Sequence, residues 1–165
     1  MRTVPAATVD SALRRSPFMV VAFSSRSGPR SAGVVPEYDA GAMWFGSLAG
    51  DFKIRCIERA PEVSVTVTVP TRIPFLGAVV PPATITFAGR ATVMPADGDG
   101  VPHHTAHPKL TFPDDTGPLA AVRIEPTSDL VSYGVGIPVW KMTNIGRARG
   151  RTDLATWAGR QLARR

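Results

Sequence analysis

Ser47 and Lys53 stand six positions apart in the stretch FGSLAGDFKIRCIERAP (45–61), a hydroxyl and a full positive charge set among small residues. Such a set suits an oxyanion. Asp51 is of the type that caps a helix, and Phe52 with Cys56 and Lys53 with Ile57 keep helical spacing until Pro61 stops the segment. The start of a helix presents backbone N–H groups without partners and a partial positive charge, so an anion there needs little further help. Lys53 adds its charge in the first turn, Ser47 adds a donor, and Gly46 and Gly50 let the backbone come close. The order G-x-x-x-x-G-K-[ST] of a P-loop is absent, so the phosphate of a mononucleotide fits better. The plain alternative is an exposed helix start with an ordinary capping turn.

The remaining chemistry-bearing groups point less sharply. His103, His104 and His107 in PHHTAHP (102–108) cluster imidazoles, but Pro102 and Pro108 flank them and no cysteine or nearby carboxylate completes a ligand set. No metal is expected. Cys56 is the one cysteine, which excludes an internal disulfide and a cysteine metal cage and agrees with a reducing compartment. Tyr133 and Trp140 could stack on a ring or line a pocket, or equally serve as core or interface anchors. No residue stands out as a general acid or base.

The elements that must position these groups read as follows. A short helix over 7–15 ends at Ser16 and Pro17, and FMVVAF (18–23) is a buried strand. After turn chemistry at 24–30, SAGVVPEY (31–38) is a second strand and MWF (43–45) a third. The short amphipathic helix of 52–60 follows. EVSVTVTV (62–69) puts Val63, Val65, Val67 and Val69 on one face and Ser64, Thr66 and Thr68 on the other, the clearest period of two in the chain. A Pro-rich crossing (70–82) leads to a fifth strand, ATITFAGRATVM (83–94), with a bulge or bend expected at Gly89. Residues 95–118 read as a long loop, LAAVRIEP (119–126) as a sixth strand, and Leu154, Trp157, Ala158 and Leu162 as one side of a terminal helix. Six alternating strands with few helices predict a small antiparallel β-barrel, because closure removes exposed edges.

The chain has 165 residues, 44% of them hydrophobic, which suits a single domain with its own core. The longest apolar runs fall short of the ~18 residues of a membrane span, and the start, with Arg2, Asp10, Arg14 and Arg15, lacks the apolar core of a signal peptide. A cytoplasmic location is the expectation. The net charge of +6 is a property of residues 141–165, which hold seven basic groups against Asp153 alone; the first 140 residues are balanced at twelve and twelve. A nucleic-acid partner is therefore not expected of the body of the domain. The basic segment GRARGR (146–151) could meet nucleic-acid phosphates, an anionic membrane face or an acidic cofactor tail, or be a solvated arm that packs its Leu154–Trp157 face on a partner subunit.

The order of these motifs resembles the pyridoxamine 5'-phosphate oxidase-like split β-barrels, which bind flavin or deazaflavin. The resemblance is carried by GAMWFGSLAGDFKIRCIERAPEVSVTV (41–67), by ATITFAGRATV (83–93) and by SAGVVPEYDA (31–40), about a third of the chain. It implies a six-stranded split barrel acting as a homodimer, with the cofactor, FMN or coenzyme F-420, across the subunit boundary. It further implies that Lys53, with Arg30, Ser31, Gly33, Val34 and Val35 of the neighbouring strand, holds the cofactor phosphate and ring edge. Ser47 and Gly46 would border the ribityl or phosphate oxygens. Thr84 stands where phosphate-oxidase members carry a ring-contacting glutamine, and Ser31, beside Arg30, where they carry a basic residue. Their Arg-Leu-x-Pro ending is replaced by GIPVWKMTNIGRARG (136–150), which argues against oxidation of the vitamin itself. The implied function is hydride transfer to or from a small organic substrate; the alternative is a barrel that binds a ligand without turnover.

Overall fold

The computed structural model of the chain describes residues 1–70, 82–102 and 117–163. In chain order, β1 (Arg2–Thr3) and α1 (Ala6–Leu13) precede the hairpin of β2 (Phe18–Ser25) and β3 (Gly28–Val34). Next come β4 (Glu37–Asp39), β5 (Ala42–Leu48) and α2 (Phe52–Arg59). The long strands β6 (Glu62–Val69), β7 (Ala83–Pro95) and β8 (Leu119–Pro126) complete the central sheet. β9 (Leu130–Tyr133), α3 (Ile145–Ala148), β10 (Arg149–Thr152) and α4 (Leu154–Leu162) close the chain.

The alternation in β6 does what its pattern predicts. Val63, Val65, Val67 and Val69 are buried, while Ser64 is exposed and Thr66 and Thr68 are half-buried. Each fully buried valine contributes on the order of 1.5 kcal/mol or more. The same face continues through Met19 and Val21 of β2 and Ile85 and Phe87 of β7, and it meets Phe45 of β5 and Val122 and Ile124 of β8 inside the curled sheet. α2 adds Ile54, Cys56 and Ile57 to that core and packs against β2 and β7. Cys56 is core filler, with its thiol buried.

The barrel closes through a bend. Residues 31–38, expected as one strand, are two: β3 pairs with β2, and β4 pairs with β5 at Glu37↔Trp44 and Asp39↔Ala42. Pro36 lies between them, and a residue with no N–H cannot continue a ladder on its donor side. The ring therefore runs β3-β2-β6-β7-β8-β5-β4, joined through the covalent β3–β4 link. Among the described residues no ladder joins β3 to β5, whose pairing with β4 ends at Trp44. That gap is the split, and α2 leaves β5 from its end. Five of the six expected barrel strands are present, and the other, 31–38, is divided between β3 and β4.

Gly89 makes no bulge. β6 and β7 stay in continuous register from Val63↔Gly89 to Val69↔Ala83. Gly89 marks instead the point where the other edge of β7 passes from β9, paired at Thr84–Thr86, to β8, paired from Gly89 onward. A Cβ there would lie 2.7 Å from Ile124 Cγ2 and 3.0 Å from the Glu125 carbonyl oxygen. Close approach, rather than an extra residue, requires the glycine.

The basic C-terminal segment is not a solvated arm. Arg149–Thr152 form β10, antiparallel to β9 and parallel to β1. α4 then returns to the barrel and buries Trp157 to 3% exposure in the chain's own core, with Leu154 packed beside it, so the Trp157 face is not offered to a partner. Asp10 ties the two ends together, accepting from Tyr38 Oη at 2.5 Å and from Gln161 Nε2 at 3.1 Å. No helix among the described residues is long and apolar enough to cross a membrane.

Candidate functional site

Ser47 and Lys53 meet, and they meet on a third residue. β5 delivers Ser47, buried, as its penultimate residue; Ala49 and Gly50 turn the chain; Asp51 opens α2 and Lys53 sits in its first turn. The turn is held by Asp51 N donating to the Leu48 carbonyl at 3.0 Å and by Arg55 Nη1 donating to the Gly50 carbonyl at 3.1 Å. Ser47 Oγ donates to Asp51 Oδ2 at 2.5 Å, and Lys53 Nζ donates to the same oxygen at 2.5 Å. Two donors from different elements thus converge on one oxyanion. The Lys53 ammonium, then the Ser47 hydroxyl, hold the Asp51 carboxyl below its ordinary value of 3.8.

The expected role of Asp51 changes accordingly. It occupies the N-cap position of α2, but its side chain makes no capping hydrogen bond. The residue type signalled a helix start, and the start is there. The carboxylate is spent on the anchor pair, which local sequence preference does not reveal.

The other expected contacts lie apart from this trio. Arg30 is exposed at the start of β3 and donates to Ser27 Oγ at 3.3 Å. Ser31 and Gly33 face outward, opposite Ala22 and Val20 of β2, and a Cβ on Gly33 would lie 2.5 Å from the Phe18 ring. Val34 is buried in the core, and Val35 is exposed at the bend. β3 has its other edge on the split, the same gap from whose far side Ser47 and Lys53 come. Gly46 neighbours Ser47 and pairs with Ala121 of β8.

Thr84 sits on the outer face of β7 between Thr68 and Tyr133. With β2 and β6 between them, β3 and β7 are three strand spacings apart, about 14 Å. A single chain therefore does not bring Thr84 onto the β3 edge. Tyr133 Oη donates to the Met142 carbonyl at 2.7 Å, a structural tie, whereas Trp140 is 76% exposed. His103, His104 and His107, and most of the 70–82 crossing and the 95–118 loop, lie outside the described residues. Beside the anchor turn a cavity of about 250 Å³ is lined by Ala49, Ile54, Glu58, Met94 and Leu119 among others.

No protein-family model matches the chain, and no curated protein does. Solved structures do. An F-420 reductase is 19% identical, over 72% of this chain and 93% of that one, with a TM-score of 0.53. A FAD-binding protein from Mesorhizobium loti is 18% identical over 76% and 91%, with a TM-score of 0.55. HutZ, a heme storage protein from Vibrio cholerae, is 14% identical over 82% and 98%, with a TM-score of 0.59. Pyridoxamine 5'-phosphate oxidase-like proteins are among the further matches. Together with the ring of strands and the gap between β3 and β5, these likenesses give the chain the split β-barrel fold of the pyridoxamine 5'-phosphate oxidase-like proteins.

Proposed function

We propose that this split barrel binds a phosphorylated flavin or deazaflavin, FMN or coenzyme F-420, and uses it for redox chemistry on a small organic substrate. The observation that carries the reading is the convergence of Ser47 Oγ and Lys53 Nζ on a single oxyanion, Asp51 Oδ2, at the first turn of α2. The carboxylate is a stand-in: it has one charge and an oxygen of the kind a phosphate would present. Residues that hold it can hold a phosphate oxygen in the same place. Bound there, a flavin or deazaflavin supplies the hydride chemistry at its ring, and the chain supplies the grip and the orientation. Lys53 would balance the phosphate charge, Ser47 would fix one oxygen, and the β3 edge from Arg30 to Val35 would border the ring across the split. The likeness to an F-420 reductase and a FAD-binding protein supports this choice of ligand class.

We further propose a homodimer. The outer faces of β2, β6, β7 and β9 carry half-exposed Thr66, Thr68, Thr84 and Thr86 with exposed Phe18 and Val131, a low-charge surface fit to cover with a second copy. A partner would also give Thr84 the ring contact that its own chain's geometry denies it. Sedimentation at micromolar concentration tests this, and a monomer throughout would refute it.

The rival reading is binding without turnover, and the likeness to a heme storage protein favours it. One titration decides the ligand class: purified protein with FMN, with coenzyme F-420 and with heme, followed by absorbance and fluorescence. The proposal expects FMN or coenzyme F-420 to bind below about 100 µM, roughly −5.5 kcal/mol. Heme alone binding in that range would overturn it.

A further inference from the structure

The two residues proposed to grip the phosphate already grip a carboxylate of their own chain. Asp51 Oδ2 takes both bonds, at 2.5 Å each, so an incoming phosphate and this oxygen require the same position. Two oxygens cannot occupy it, and side by side the repulsion of two anions cancels most of what one ammonium returns. Asp51 has somewhere else to go. It sits at the N-cap of an eight-residue helix with φ −62° and ψ 145°, and no side chain caps that helix. Rotation of its side chain exchanges Ser47 and Lys53 for the first-turn amides of α2, partners that an N-cap aspartate favours. Displacement is then an exchange of partners and does not strand a charge.

The charge balance of the turn permits the exchange. Lys53 and Arg55 bring two positive charges against the one of Asp51, and the guanidinium of Arg55 is held over the turn by its bond to the Gly50 carbonyl. An oxyanion still meets a positive turn. It meets one weakened by an occupant that is covalently attached and therefore present at a high effective concentration.

We propose that Asp51 is a built-in competitor for the phosphate, an internal anion that sets how tightly and how reversibly the phosphorylated end of the cofactor is held. The proposal rests on the reading of Ser47 and Lys53 as the phosphate anchor. It assigns this chain a cofactor that exchanges with solvent rather than one that stays through many turnovers.

The test is a fluorescence titration of FMN and of coenzyme F-420, with riboflavin as the phosphate-free control, on the wild-type protein, Asp51→Asn, Asp51→Ser and Lys53→Ala. Melting temperatures establish first that each variant folds. Asp51→Asn and Asp51→Ser should tighten the phosphorylated cofactor by roughly tenfold or more and leave riboflavin within about twofold, while Lys53→Ala weakens the phosphorylated cofactor. If both Asp51 variants bind it unchanged or more weakly while Lys53→Ala still loses affinity, the competitor role is overturned and the anchor stands. If Lys53→Ala loses nothing, or neither cofactor binds the wild type or the Asp51 variants, the anchor falls and the competitor role falls with it.

Discussion

Lys53 is 24% exposed at its side chain and Asp51 34%, so their ion pair is half in water and contributes little to folding. Its consequence is electrostatic and local. Lys53→Ala should raise the dissociation constant of the phosphorylated cofactor by roughly tenfold or more and that of riboflavin by less than about twofold, read by fluorescence titration; equal losses would remove the phosphate role. The Asp51 carboxyl lies below its ordinary value because Lys53 and Ser47 hydrogen-bond its charged form. Protonation therefore favours the unfolded chain. The contribution is fully present above about pH 4 and is lost as the pH falls through the lowered folded value. Melting curves should show wild type and Asp51→Asn differing by a small, constant amount near pH 6 and converging as acid protonates the carboxyl below its ordinary value of 3.8. A gap that widens on acidification would contradict the assignment of that proton.

At the level of elements, β7 is the strand on which the sheet forks. It serves β6 along one edge and divides the other between β9 and β8. Gly89 stands at the fork with Ile124 Cγ2 and a backbone oxygen inside normal Cβ contact. Gly89→Ala should cost about 1–3 kcal/mol, measured by urea denaturation, because the Glu125 carbonyl belongs to the ladder and cannot yield as a side chain can. A neutral substitution would mean that β8 moves freely against β7. The period-two pattern of β7 was readable in the sequence. The fork was not, since nothing in a strand's own residues states how many neighbours share one edge.

Across the whole molecule the ends of the chain are drawn to the barrel. β1 and β10 pair in parallel although they are nearly the full chain apart, Thr152 Oγ1 donates to the Val4 carbonyl at 2.8 Å, and Asp10 meets Gln161. Trp157 is the largest contribution of the C-terminal helix to the core. Trp157→Ala should cost about 3–5 kcal/mol, whereas Trp140→Ala, at a side chain 76% exposed, should stay within about 0.5 kcal/mol. Chemical denaturation of the two variants side by side checks both, and similar losses would contradict the placement of these two side chains. The charge excess of 141–165 had suggested an arm because a run of arginines is usually solvated. Alternate residues of Arg149–Thr152 point outward from β10, so Arg149 and Arg151 stay in water while the backbone between them pairs with β9 and β1.

The sequence by itself determined five of the six expected barrel strands, the helix that opens at Asp51, and the nearness of a hydroxyl and an ammonium around a tight turn, because each of these is written in local spacing and residue type. Only the tertiary structure decided that residues 31–38 break at Pro36 into strands serving opposite neighbours, that Thr84 and the β3 edge lie apart in one chain, and that the Asp51 carboxylate leaves the amides of its helix uncapped and takes the two side-chain donors. Those outcomes depend on which groups the fold brings within about 3 Å of one another, and a carboxylate goes to the ammonium and hydroxyl it can reach rather than to the amides its position in the chain would suggest.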